Sequence, residues 1–96
     1  MRNAIQLGKM KRRMRTLQNQ LGRLGPCMRG TVVVIGTRNK QPYFSLNKNK
    51  KTRLIYLGQK REPQARRLSD TYKRRLDIIE EMTALNMELL KHDALD

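Results

Sequence analysis

The sequence predicts an α+β fold of order α-β-β-β-α: a basic N-terminal helix, a three-stranded antiparallel sheet, and a long C-terminal helix that pairs with the first. Three observations predict it. Leu7, Met10, Met14, Leu17, Leu21 and Leu24 recur at alternating steps of three and four, the period of a helical seam. Residues 31–57 hold three short β-branched or alternating runs punctuated by Gly, Pro and Asn, the pattern of strands joined by tight turns. From Ala65 to Leu90 the apolar residues return to helical spacing.

The first helix is expected over residues 3–24. Asn3 suits the N-cap, and Gly25-Pro26 ends the helix. Gly8 and Gly22 lie inside it, and each costs about 1 kcal/mol relative to Ala. The helix should therefore fray at its ends and depend on a partner. The first strand is Thr31-Val32-Val33-Val34-Ile35, between Gly30 and Gly36. Asn39-Lys40-Gln41-Pro42 makes a turn, and Tyr43–Asn47 alternates as a second strand. Asn47–Lys51 forms a polar hairpin tip whose asparagines tolerate left-handed backbone. Thr52–Leu57 is the third strand, closed by Gly58. The sheet thus occupies residues 31–58, and its short sequential connections favour a meander.

The last helix is expected over residues 64–92, with Pro63 in its first turn. Its apolar positions are Ala65, Leu68, Tyr72, Leu76, Ile79, Met82, Leu85, Leu89 and Leu90, widened by Ile78 and Met87. That stripe is broader than a two-stranded seam requires. Such a helix is roughly 40 Å long, well beyond three strands spaced ~4.8 Å apart. Its second half needs another partner, and the first helix is the candidate, within one chain or between two. An uncovered apolar helix face is a liability, so a homodimer or higher oligomer is expected, formed through Met10, Met14, Leu17, Leu21, Leu85 and Leu89. At 96 residues the chain reads as one domain, 1–96.

Charge bears most directly on function. All eight acidic residues follow residue 61, and the first is Glu62. Residues 1–61 carry 16 of the 22 Lys and Arg. The net charge of +14 is therefore segregated, and a surface so charged repels itself until a polyanion neutralises it. Nucleic acid is the expected partner. A basic amphipathic helix also suits an anionic membrane, but the first helix carries no Trp or Phe on that face, and no membrane partner is expected. No apolar run is long enough to span a bilayer.

The chain offers little to catalysis or metal binding. Cys27 is the one cysteine and His92 the one histidine, so no ordinary zinc set forms. No Gly-rich phosphate loop precedes a helix. The reading is a non-enzymatic protein with no catalytic residues, no metal and no cofactor, cytoplasmic and associated with nucleic acid.

Three basic clusters are candidate phosphate contacts. Lys9, Lys11, Arg12, Arg13 and Arg15 flank the first helix's seam without any acid. Lys48, Lys50, Lys51 and Arg53 crowd the hairpin tip. Arg38 and Lys40 lie in the first sheet turn. Arg53 and Arg38 are the residues placed to approach base edges, since Arg reads guanine bidentately. Asn39 is assigned to turn chemistry. Double-stranded DNA is the first choice of ligand. RNA is the alternative, with Tyr43 and Tyr56 as stacking platforms if the hairpin register puts them on one face; Phe44 is assigned to the core. A third reading is a non-catalytic helical subunit of a larger nucleoprotein machine.

Pro42-Tyr43-x-x-Leu46, Lys51-Thr52-Arg53-x-x-Tyr56-Leu57 and the helix ending Leu85-Asn86-Met87-Glu88-Leu89-Leu90 together resemble a family of small uncharacterised prokaryotic proteins often encoded near transposases. The resemblance covers roughly residues 30–90 and excludes the first helix. It implies a mobile-element context, such as an accessory factor. Family members carry a Cys-rich segment before the first Tyr. Residues 36–41 here contain no cysteine.

Overall fold

The computed structural model describes residues 4–95. Its elements are α1 (Ala4–Arg23), β1 (Thr31–Ile35), β2 (Gln41–Lys48), β3 (Lys51–Tyr56) and α2 (Gly58–Lys91). The architecture is α+β with the order α-β-β-β-α, and the strands form one antiparallel sheet in the order β1-β2-β3. Asn3, the expected cap of α1, lies outside the described residues. The chain divides into two compact units. One is Gly25–Lys73; the other joins residues 4–24 to residues 74–95. At 34 residues, α2 is about 50 Å long and contributes to both.

In the sheet unit, β2 is the central strand. Val32 pairs with Phe44 and Phe44 with Ile55; Val33 pairs with Tyr43 and Tyr43 with Tyr56. Side chains alternate across a sheet, so the two triplets mark opposite faces. Residues 58–73 of α2 pack over Phe44 but leave Val34 and Ile55 of the same face exposed. Phe44, Leu57 and Ala65 are buried together, with Val32 against them. Gly30 is required beside this core. Its φ is +133°, and a Cβ there would lie 2.6 Å from the Phe44 ring and 2.7 Å from the Ser45 carbonyl oxygen. Two hydrogen bonds fix the helix to the chain entering β1: Ser69 Oγ donates to the Gly30 carbonyl at 2.7 Å, and the Met28 amide donates to Leu68 at 3.0 Å.

The β2–β3 connection is a two-residue hairpin. Lys48 pairs with Lys51, and Asn49 and Lys50 between them have φ of 53° and 63°. Two successive left-handed residues make the type I′ turn that matches strand twist. At the other end of β3 the structure departs from expectation. Helix α2 starts at Gly58 rather than near residue 64, so Pro63 falls inside it. No loop is needed there: Leu57 is buried, Gly58 (φ +68°) redirects the backbone, and Arg61 Nε donates to the Leu57 carbonyl at 3.0 Å. Pro63 has no amide to reach the carbonyl of Gln59, and its ring crowds that carbonyl.

The helical unit pairs α1 with the later part of α2. Arg13 meets Glu81 and Arg74 meets Gln20, so the helices run antiparallel. Leu17 (0 % exposed) and Ile78 (1 %) form the centre, with Met14 and Leu89 also buried. Leu7, Met10, Leu21, Leu24, Met82 and Leu85 are half-buried. The seam thereby closes within one chain. Met10, Met14, Leu17, Leu21, Leu85 and Leu89, expected at an oligomer interface, line this pair of helices within the chain. Arg75 caps α1, donating from Nη1 to the Leu21 carbonyl at 3.3 Å and from Nη2 to Leu24 at 2.9 Å. The Leu21 carbonyl also accepts the Leu24 amide at 3.4 Å, and both carbonyls lie at the negative end of the helix dipole. Helix α2 ends in a Schellman motif: the Asp93 amide donates to Leu90, the Ala94 amide to Leu89, and Asp93 itself takes φ 52°.

Candidate nucleic-acid interface

The two units share the basic residues unequally. Gly25–Lys73 holds twelve Lys and Arg against Glu62 and Asp70, a net +10. Glu62 is already paired with Arg66 of the same helix at 2.9 Å. Among the described residues of the helical unit, nine Lys and Arg stand against five carboxylates. Asp77, Glu80, Glu81 and Glu88 of α2 thus belong to the same unit as the basic first helix, and the sheet unit keeps the greater excess of positive charge.

This changes the standing of the α1 cluster. Arg13 forms a bidentate pair with Glu81: Nε donates to Oε1 and Nη2 to Oε2, each at 3.0 Å. The hydrogen bond and the charge of Glu81 both raise the Arg13 pKa above its ordinary value. A guanidinium held in this fork is engaged with a carboxylate rather than displayed to phosphate. Lys9, Arg12 and Arg15 are exposed, whereas Lys11 is half-buried. Lys11 and Arg15 border a groove of about 400 Å³ together with Met14, Gln18, Asn86 and Leu89.

The remaining six candidates lie in the sheet unit, at two ends of β2. Arg38 and Lys40 occupy the β1–β2 turn; Lys48, Lys50 and Lys51 lie at the hairpin, and all five are exposed. β2 has eight residues, so the two groups stand roughly 25 Å apart along the strand. Arg53 pairs with Leu46, which puts it on the Phe44 face. There it borders an apolar groove of about 450 Å³ with Met28, Phe44, Leu46 and Ile55.

The opposite face is built differently. By register it carries Thr31, Val33 and Ile35 of β1, Gln41, Tyr43, Ser45 and Asn47 of β2, and Thr52, Leu54 and Tyr56 of β3. None of these residues is charged. Tyr43 and Tyr56 are direct cross-strand partners with ring centroids 5.5 Å apart and planes at 66°, an edge-to-face pair. Tyr56 Oη donates to Gln41 Oε1 at 3.0 Å, and Thr52 Oγ1 donates to Asn47 Oδ1 at 2.6 Å. Each amide oxygen thus accepts one hydrogen bond within the sheet, which orients the side chain, and its amide nitrogen is a donor.

Sequence reasoning missed several residues that hold this arrangement. Arg29 Nη1 donates to the Asn47 carbonyl at 2.7 Å, tying the chain before β1 to the hairpin. Ser69 and Arg75 act across separations of 39 residues and more. A lone Arg or Ser carries no sequence signal for such contacts. Gln41 and Thr52 were legible only as turn and strand residues, because their role depends on register. Among the described residues no group of three His, Cys, Asp or Glu is disposed to hold a metal, and no helix is long and apolar enough to cross a membrane. Compared with protein-family models, with curated proteins and with solved structures, the chain matches none.

Proposed function

We propose that this chain is a non-catalytic nucleic-acid-binding protein that engages phosphates through its sheet unit. One observation carries the reading: Gly25–Lys73 concentrates a net +10 in which Glu62 is already committed to Arg66. Lys48, Lys50 and Lys51 at the hairpin, with Arg38 and Lys40 at the other turn, are the phosphate contacts. Lys9, Arg12 and Arg15 of α1 add to them, and Arg13 contributes less because Glu81 holds it. Duplex DNA, the ligand first expected from charge, satisfies this arrangement, and so does RNA; an accessory role in a mobile element or other nucleoprotein complex is compatible with either. Binding measured against salt tests the reading. Neutralising six or more phosphates should cost about 10³-fold or more in affinity between ~50 and ~200 mM salt. A flat salt response overturns it.

A second reading, an assembly subunit, has its own support. Leu76, Ile79, Met87 and Leu90 are all more than two-fifths exposed and recur at helical spacing on α2, apart from the buried Ile78 and Leu89. A homo-oligomer would use this stripe rather than the closed seam. Light scattering at tens of micromolar, with and without nucleic acid, tests it: a monomeric mass in both conditions overturns it.

A further inference from the structure

We infer that the uncharged face of the sheet binds unpaired nucleobases, so that the ligand is a single-stranded segment or loop. The inference rests on the nucleic-acid reading and narrows its ligand. The register makes Tyr43 and Tyr56 neighbours on one face, and Tyr56 remains 49 % exposed, Leu54 50 % and Ile35 45 %. On the other face Phe44 is buried with Leu57 and Ala65, while Val34 and Ile55 stay exposed.

The chemistry of this face suits bases better than it suits a duplex groove. Groove edges are rows of polar donors and acceptors, against which exposed Leu54, Ile35 and tyrosine rings would find few apolar partners. Unstacked bases instead present broad π-faces that stack on aromatic rings, whatever the sequence. The same face offers hydrogen-bond donors in the amide nitrogens of Gln41 and Asn47, whose oxygens each accept one bond, from Tyr56 and Thr52. Base edges supply the matching acceptors.

The cations are distributed to match. None lies on the face itself; Arg38 and Lys40 stand in the turn at one end of β2 and Lys50 in the turn at the other, where Lys48 and Lys51 flank it on the Phe44 side by register. A strand crossing the sheet would lay bases on the neutral centre and phosphates at the charged ends. The span of β2, roughly 25 Å, admits a site near the lower end of the ~4–16 nucleotides typical of single-strand platforms.

The test uses the full chain at low salt with oligo(U) and oligo(dT) of about ten nucleotides and a mixed-sequence duplex. Tyr43→Leu and Tyr56→Leu, alone and together, remove the rings while keeping an apolar strand residue; circular dichroism checks folding. Each loss should weaken single-strand binding by about five- to a hundredfold and leave duplex binding unchanged. A second readout needs no variant. The chain has three tyrosines and no tryptophan, so base stacking should quench its intrinsic fluorescence as oligonucleotide is added. Tyr56→Phe, which keeps the ring, should retain affinity. Oligo(U) against oligo(dT) assigns the strand to RNA or DNA. If single strands bind with no quenching and no loss in the Leu variants, or if duplex is the only ligand, the inference falls while the nucleic-acid reading stands. If neither single strands nor duplex bind, both fall.

Discussion

Leu17→Ala is the substitution with the clearest expected consequence. Leu17 is fully buried at the centre of the α1–α2 pair, where Met14, Ile78 and Leu89 are the other buried side chains. Burial of each contributes roughly 1.5–3 kcal/mol, so four give on the order of 6–12 kcal/mol before the entropy of ordering the helices is subtracted. Truncating Leu17 removes its own share and leaves a cavity, for a loss of about 2–5 kcal/mol. That is a large fraction of the unit's gross burial, and α1 also carries Gly8 and Gly22. The variant should melt earlier by circular dichroism and lose helical signal first. Hydrogen exchange should localise the loss to α1 and residues 74–91 of α2, with β2 amides retaining their protection, because β2 belongs to the other compact unit. The molecular mass should match that of wild type, since the seam closes within one chain. A stability loss below about 1 kcal/mol would refute the packing argument. A fall in mass would show that Leu17 joins two chains after all.

Three further substitutions probe features that only the fold reveals. Gly30→Ala should cost at least ~2 kcal/mol by denaturant titration, because the added Cβ meets both the Phe44 ring and the Ser45 carbonyl at a positive φ; an unchanged midpoint would mean the entry to β1 shifts freely. Lys50→Gly should stabilise the hairpin by roughly 0.5–1 kcal/mol, since Lys50 holds a left-handed turn position. If Lys50 contacts phosphate, the same change should reduce the salt slope of nucleic-acid binding by about one. Arg75→Met keeps an unbranched apolar stem but removes both hydrogen bonds to the Leu21 and Leu24 carbonyls at the end of α1, and should cost about 1–3 kcal/mol. Preserved exchange protection at the end of α1 would argue against that cap.

Much of the fold was legible because local chemistry and tertiary packing agree. Five β-branched residues between glycines make β1, and the 3-4 spacing of Leu7 to Leu24 marks the buried side of α1 before any partner is known. The break between α1 and the sheet follows from Gly25-Pro26. The start of α2 was placed late because Pro63 is a strong local signal for a first turn, and it is outweighed by Gly58, which turns β3 directly into helix. Candidate phosphate contacts were legible as runs of Lys and Arg. That Arg13 is engaged by Glu81 was not, because a pairing across 68 residues has no local trace.

By itself the sequence determined the element order, the helical and strand periodicities, and the excess of positive charge. Each depends on residue type and near-neighbour spacing, which folding leaves unchanged. Only the tertiary structure decided which surfaces those residues share. It closed the α1 seam onto the chain's own last helix, which holds most of the acids, and left the sheet unit with the larger positive excess. It also set the β2–β3 register that makes Tyr43 and Tyr56 partners on an uncharged face. A slip of one residue would have put the two rings on opposite sides. Two left-handed turn residues, a glycine against Phe44 and a buried core on one side of the sheet select the register together, and none of them is readable from a single strand.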